Sequence, residues 1–349
     1  MSTPLPPAAA LRRIAFLLER AREASYRVSA YRTAAAVVDG LDEAQLDLKI
    51  RTNTLKDLKG IGPKTATAIV QAHKGEVPEY LLSLEEAYAG QLPAADDVAA
   101  FRAKLLGDLH AHSDWSDGGS PIREMAEAAM SLGHEYLALT DHSPRLTVAN
   151  GLSPQRLEKQ LDVVAELNAE LAPFRILTGI ECDINPDGSL DQTDELLGRL
   201  DVVVASVHSE LRAPRAQMTE RMLAAVANPH TDVLGHCTGR LVIGRKQRNG
   251  EQKPRPESEF DAEAVFTACV ENGTAVEINS RPERLDPPRR LLSLAVELGC
   301  EFAIDTDAHA PGQLDWQYNG CERALECGVP VERVINTLVA DELLAWTAG

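Results

Sequence analysis

Six of the nine histidines in this 349-residue chain sit in short motifs: D-L-H-A-H-S at 108–113, T-D-H at 140–142, S-V-H at 206–208, G-H at 235–236 and T-D-A-H at 306–309. With Asp117, Glu181 and Asp307, the residues His110, His112, His142, His208, His236 and His309 make nine imidazole and carboxylate side chains, the ligand mix of a multinuclear hydrolytic metal site. Groups spread from 110 to 309 serve one site only if the fold gathers them, so the motifs constrain topology first. His73, His134 and His230 lie on helical patterns or a helix-end loop without matching partners and are read as non-ligands.

The sequence between the motifs alternates short apolar runs with amphipathic periodicity. Strands are expected near 105–109, 136–140, 176–180, 202–207, 232–234, 275–278 and 302–304, with helices at 122–132, 154–171, 218–227, 260–271 and 288–298 between them. Seven strand–helix units predict an α/β fold with a parallel sheet, closed or doubly wound. Almost every candidate ligand falls at or just past the C-terminal end of a strand, and side chains from six strand ends converge only if the strands form a ring. A barrel follows.

The first 75 residues differ in character. They carry twelve Lys/Arg against seven Asp/Glu, a surplus of five positive charges, so the formal net charge of -18 leaves a deficit of twenty-three on the rest. A basic head on an acidic body suggests an anionic partner for the head. Helices are expected at 11–24 and 30–38, then the turn L-K-G-I-G-P-K-T-A at 58–66 and a helix at 67–73. Gly60 and Gly62 would permit the tight turn, and the N-terminal amides of the next helix, with Lys64 and Thr65, would meet a phosphate oxygen. Such a contact holds a nucleic-acid backbone without reading bases.

That turn resembles a helix-hairpin-helix motif. Residues 11–83 resemble the small N-terminal domain of X-family DNA polymerases, on Y-R-V-S-A-Y-R-T-A-A at 26–35, the hairpin, and K-G-E-V-P-E-Y-L-L-S-L at 74–84. The lyase activity of such domains needs a nucleophilic lysine, and the matching position here is Ala68. The domains are placed at 1–84 (helix-hairpin-helix, DNA-binding), 85–104 (linker or a final short helix) and 105–349. A linker that short has no room for a polymerase core, so no polymerase activity is expected.

The motifs D-L-H-A-H-S-D-W-S-D-G, L-T-D-H, G-I-E-C-D-I, A-S-V-H-S, L-G-H and D-T-D-A-H resemble those of the PHP (polymerase and histidinol phosphatase) family. G-S-L-D at 188–191, T-G-R-L at 238–241 and E-I-N-S-R-P-E-R-L-D at 277–286 resemble the PHP domain fused to bacterial X-family polymerases. The resemblance implies a distorted (β/α)7 barrel holding three divalent cations. One would be bound by His110, His112, Glu181 and Asp307, a second by Glu181, His208 and His236, and a third by Asp117, His142 and His309. Manganese is expected ahead of zinc or iron. Asp141 would orient a ligating histidine through a hydrogen bond.

Phosphoester hydrolysis is the chemistry such a centre serves best. Glu181, Asp307 and Arg240 are the expected catalytic residues. Arg240, Arg245, Lys246, Arg248, Arg281 and Arg284 stand on loops that could hold phosphates, Arg240 foremost. The resulting expectation is a phosphoesterase acting on DNA ends in repair, as a 3'-5' exonuclease, a 3'-phosphatase or an abasic-site endonuclease. A separate DNA polymerase or repair protein is a candidate partner, and a small-molecule phosphatase of the histidinol phosphatase type is the alternative. Without a long apolar segment or a signal-like N-terminus, no membrane contact and a cytoplasmic address are expected. The six cysteines form no C-x-x-C pair and read as buried free thiols.

Overall fold

Pro7 opens the first helix, α1 (Pro7–Arg20), where its preset φ and missing N–H cost nothing. The helix therefore starts four residues before the apolar periodicity does, and it ends where Arg22 takes a left-handed φ of 58°. In this computed structural model, which describes residues 3–88, 95–244 and 252–349, the chain divides into two compact units, Met1–Leu92 and Pro93–Gly349.

The first unit is all helical. α1 buries Leu11, Ile14, Leu17 and Leu18 against α2 (Ser25–Asp39), α4 (Pro63–His73) and α5 (Glu79–Tyr88). Neither α5 nor, before it, α3 (Glu43–Arg51) is among the expected helices. The signal for α3 was present as the capping box D-E-A-Q, in which Asp42 accepts from the Gln45 amide at 2.7 Å and the Gln45 side chain accepts from the Asp42 amide at 3.0 Å. Ala68 is buried, 2% exposed, on the packed face of α4.

In the second unit α6 (Asp96–Arg102) packs Val98 and Phe101 into the main core. Seven parallel strands then follow in spatial order: β1 (Gly107–Ala111), β2 (Tyr136–Leu139), β3 (Arg175–Asp183), β4 (Val202–Ser206), β5 (Val233–Leu234), β6 (Ala275–Asn279) and β7 (Phe302–Asp305). The connecting helices include α7 (Ile122–Ser131), α8 (Pro154–Leu171), α9 (Asp194–Leu197), α10 (Arg215–Val226), α11 (Ala262–Asn272) and α12 (Arg289–Leu298); α13 (Gln317–Glu326) and α14 (Ala340–Thr347) complete the unit. The arrangement is the expected (β/α)7 barrel, distorted and nearly closed. Its seam is a single parallel bridge between Ala111 and Ala308, supported by the His112 amide donating to the Ala308 carbonyl at 2.8 Å.

β3 is the longest strand and explains the distortion. Residues 175–178 pair with β2 and residues 179–183 with β4, so the strand changes partner at Gly179. A Cβ there would lie 2.8 Å from the Val202 carbonyl, and only glycine allows that approach. Leu109, Ala138, Leu177, Val204, Val233 and Ala303 pack together as one buried cluster, and a second wraps the strands with helix side chains. Burial on both faces is why V-V-V-A-S shows no alternation. No helix among the described residues is long and apolar enough to cross a membrane.

At the N-terminal end of β5, Asp232 accepts from the Val203 amide at 2.7 Å, and burial pushes its carboxyl up to about 7. The folded protein thus holds a proton that the unfolded chain releases near pH 4. Its contribution is intact below that value and is lost as pH rises toward 7, at about 1.4 kcal/mol per unit. Asp232→Asn should flatten this loss, gaining on the wild type between pH 5 and 8 in denaturant unfolding. Parallel pH curves for the two proteins would contradict it.

Candidate metal centre

The barrel brings all nine expected side chains to the C-terminal ends of its strands. β1 carries His110, with His112 just beyond it, and the seam bridge sets both beside Asp307 and His309 after β7. A second bridge joins His142 to Glu181 near the end of β3, and β4 pairs with the same stretch before His208. Asp117 comes from the loop after β1, and His236 follows β5.

Glu181 is the hub. One carboxylate oxygen, Oε1, lies 2.8 Å from His236 Nε2 and 3.1 Å from His208 Nε2. The other, Oε2, lies 2.9 Å from His142 Nδ1, 3.4 Å from His110 Nε2 and 3.6 Å from His112 Nε2. Asp307 Oδ1 is 3.7 Å from His112 and 3.5 Å from His309, and Asp117 Oδ1 is 3.5 Å from His142 and 3.3 Å from His309. Burial alone would raise the Glu181 carboxyl, but the imidazoles of His208, His142 and His110 hold it well below the usual range. Asp307 is likewise held low against burial, by Arg281 and Arg284. Burial, reinforced by His309 and His142, keeps His112 neutral, whereas Glu181 and Asp183 overcome burial to raise His208 to about 9.

These donors suit divalent cations. His110 Nε2, His142 Nδ1 and both ring nitrogens of His112 and His208 are buried without a hydrogen-bond partner, which costs about 1–3 kcal/mol each unless another ligand satisfies them. Three groups have ligand atoms mutually within 4.8 Å: His112, Asp117, His142 and His309; His110, His112 and Asp307; and His142, Glu181 and His208. The grouping differs from the expected one by placing His112 in two sets and by pairing His142, rather than His236, with His208. His73, His134 and His230 join none of them.

Several partners were missed. Glu277 accepts from His110 Nδ1 at 2.6 Å and also takes the His236 backbone N–H. Asp183 accepts from the His208 amide at 3.1 Å and stands 3.3 Å from its Nδ1. The available signal was a carboxylate inside an apolar strand, as in A-V-E-I-N. Among the described residues Asp141 hydrogen-bonds no histidine, contrary to expectation. It accepts from the Ser113 amide and hydroxyl, the Ser116 hydroxyl and the Gln160 amide, and so pins the loop that carries Asp117. Glu277→Gln should lower metal affinity about 10- to 100-fold by freeing the His110 ring. Unchanged metal retention on dialysis would remove Glu277 from that role.

The arginines also sort differently. Arg281 Nη1 lies 3.1 Å from Asp307 Oδ1, and Arg284 Nε lies 2.8 Å from Asp307 Oδ2. Arg240, ranked first from sequence, instead donates to the backbone carbonyls of Arg284 and Leu285. It braces the loop that aims Arg284. Arg245, Lys246 and Arg248 lie outside the described residues.

In the helical unit, Gly60 takes φ +101° and packs on Thr33, so the turn requires glycine there. Gly62 has φ -96° and needs none, although a Cβ on it would meet nothing within 4 Å. Thr65 is buried, and its hydroxyl accepts from the Gly62 amide at 2.9 Å and donates to the Gly62 carbonyl at 3.0 Å. Its side chain therefore holds the turn and does not face outward. Gly62, the N-cap, offers no side chain to the first amides of α4. Lys56, Lys59 and Lys64 are exposed on the approach to the turn and at the start of α4, and Lys74 is exposed at the helix's other end, whereas Arg12, Arg27, Arg32 and Arg51 are tied into ion pairs within the unit.

A barrel of this topology with such a cluster defines a phosphoester hydrolase, and similarity to known proteins agrees. Residues 108–281 match the PHP domain and residues 6–76 a helix-hairpin-helix domain. The chain is 42% identical over 233 residues to the DNA polymerase/3'-5' exonuclease PolX of Bacillus subtilis, covering 67% of this chain and 39% of that protein. It is 30% identical over 248 residues to a probable phosphatase of Acetivibrio thermocellus, covering 68% of this chain and 92% of the relative. A solved histidinol phosphate phosphatase from Lactococcus lactis, complexed with zinc, L-histidinol and phosphate, is 21% identical, with a TM-score of 0.48 over 64% of this chain and 94% of that one. The chain belongs to the PHP family of phosphoesterases.

Proposed function

We propose that this protein is a metal-dependent phosphoesterase acting on DNA ends, as a 3'-5' exonuclease, a 3'-phosphatase or an abasic-site endonuclease in repair, and that it does not polymerise. The observation that carries the reading is the pairing, in one chain, of a Glu181-centred cluster with a helix-hairpin-helix turn whose N-cap is a glycine and whose approach and first turn carry the exposed Lys56, Lys59 and Lys64. The identity to PolX supports the same substrate class. Gly60, Gly62, Lys64 and the Thr65 amide would hold the backbone of the duplex. A cytoplasmic location and a separate polymerase or repair protein as partner accord with it. The domain boundaries at 84 and 105 belong to the same proposal.

His110, His112, Glu181 and Asp307 would hold one cation, Glu181, His208 and His236 a second, and Asp117, His142 and His309 a third, with manganese ahead of zinc or iron. When bound, the cations supply the charge that activates water and neutralises phosphate oxygens. The protein's own groups do the rest. Glu277 fixes the orientation of the His110 ring, and Asp183 holds the backbone amide of His208. Arg281 and Arg284, already at the cluster, offer guanidinium donors to the non-bridging oxygens of a phosphate. Arg240 keeps the second of these aimed.

The match covers 92% of the probable phosphatase of Acetivibrio thermocellus, which favours a small phosphomonoester as the second reading. Assay of the full chain with manganese on a 3'-recessed duplex and on histidinol phosphate decides between them. Release of 3' nucleotides or phosphate with little histidinol phosphate turnover is expected, and the reverse preference would overturn the proposal.

A further inference from the structure

We propose that a cleft of about 670 Å³ on the catalytic face of the barrel binds the nucleotide units that flank the scissile phosphate of a DNA strand, an inference that rests on the reading of the substrate as DNA. The cleft is walled by residues 240–242 and 254–260, which lie between β5 and α11, and by the first residues of α10, α11 and α12. All of these follow the C-terminal ends of strands, as the metal-ligand candidates do. Arg240 joins the two places, since it lines the cleft while its guanidinium holds the Arg284 carbonyl at 3.1 Å, and Arg284 contacts Asp307. A strand whose phosphate sits at the cluster therefore has the cleft one loop away.

The lining has the two halves of a nucleotide's chemistry. Among the described residues, Arg215, Arg240, Arg255 and Arg290 line it with Glu257 and Glu259 as the acids, and Val242, Pro254 and Phe260 provide apolar surface for a base. Arg215 and Arg290 keep 61% and 62% of their side chains exposed, on an ion pair with Asp261 and one with Glu257. Exposed pairs of this kind contribute little, so a phosphate can replace the carboxylate. Their placement is also locally unfavourable. α10 and α12 have proline N-caps, no side-chain cap and no acid in the first turn, and each begins with arginine at the positive end of the helix dipole. Such a breach of local preference marks a functional surface, and here both helix ends and both cations favour an anion.

The test uses the full-length R215A/R290A double variant, whose changed side chains are largely exposed. Hexathymidylate and the p-nitrophenyl ester of thymidine 5'-phosphate are assayed as substrates. Hexathymidylate and thymidine 5'-phosphate are also bound by equilibrium dialysis in the presence of a chelator. The expected result is a KM for hexathymidylate raised about tenfold with kcat kept, unchanged kinetics on the small ester, and a salt slope of hexamer binding shallower by about 0.7 per lost contact. R215K/R290K should restore part of the binding. Unchanged hexamer KM and binding, or an equal loss on both substrates, would overturn the proposal. Loss of thymidine 5'-phosphate binding with hexamer KM unchanged would also overturn it, by making the cleft a mononucleotide site. If the wild type hydrolyses no oligonucleotide, the DNA reading fails separately, and the dialysis still decides the cleft: hexamer binding weakened in the variant supports it, and equal binding removes it.

Discussion

Glu181→Gln should lower phosphoester turnover by about three orders of magnitude and release bound metal. The glutamine keeps the shape of a side chain that lies within 3.6 Å of five imidazoles, but it removes the anion those imidazoles share. Two of the proposed cation positions use this carboxylate, so both weaken together. Several kcal/mol of charge stabilisation are lost with them, and each 1.4 kcal/mol is about a factor of ten in rate. Metal content of the purified variant and its kcat on a small phosphodiester are the measurements. Near wild-type values of both would falsify the coordination proposed here.

Removing the helical unit should separate grip from chemistry. A chain beginning at Ala95 retains α6, the seven strands and their core, so hydrolysis of a small phosphodiester should stay within about twofold of the full chain, as expected of a unit with its own core. Affinity for duplex DNA should fall about ten- to a hundredfold. The salt dependence should become shallower, because the lysines around the α4 N-terminus are lost with their phosphate contacts. Equal DNA affinity and equal salt slopes for the two chains would take the helix-hairpin-helix turn out of the mechanism.

Much of the fold was legible along the chain. The runs at 136–140 and 202–207 became β2 and β4, and the helix read at 154–171 is α8 with the same bounds. Pattern reading works there because each element must bury a continuous apolar face. Where it failed, the signal was local and polar. α3 is announced by a cap and not by a stripe of apolar residues. The start of α1 was set by a proline.

The sequence by itself determined which residues could bind metal and that only a ring of parallel strands could gather them, because ligand type and position at strand ends are properties of the chain. Tertiary structure decided how they share. It placed Glu181 at the centre, took Asp141 away from the histidines, and exchanged Arg240 for Arg281 and Arg284 at the cluster. Those assignments depend on which side chains meet across strands as distant as β1 and β7. A partner over 150 residues away, such as Glu277 for His110, is selected by barrel closure and leaves no periodicity in the sequence.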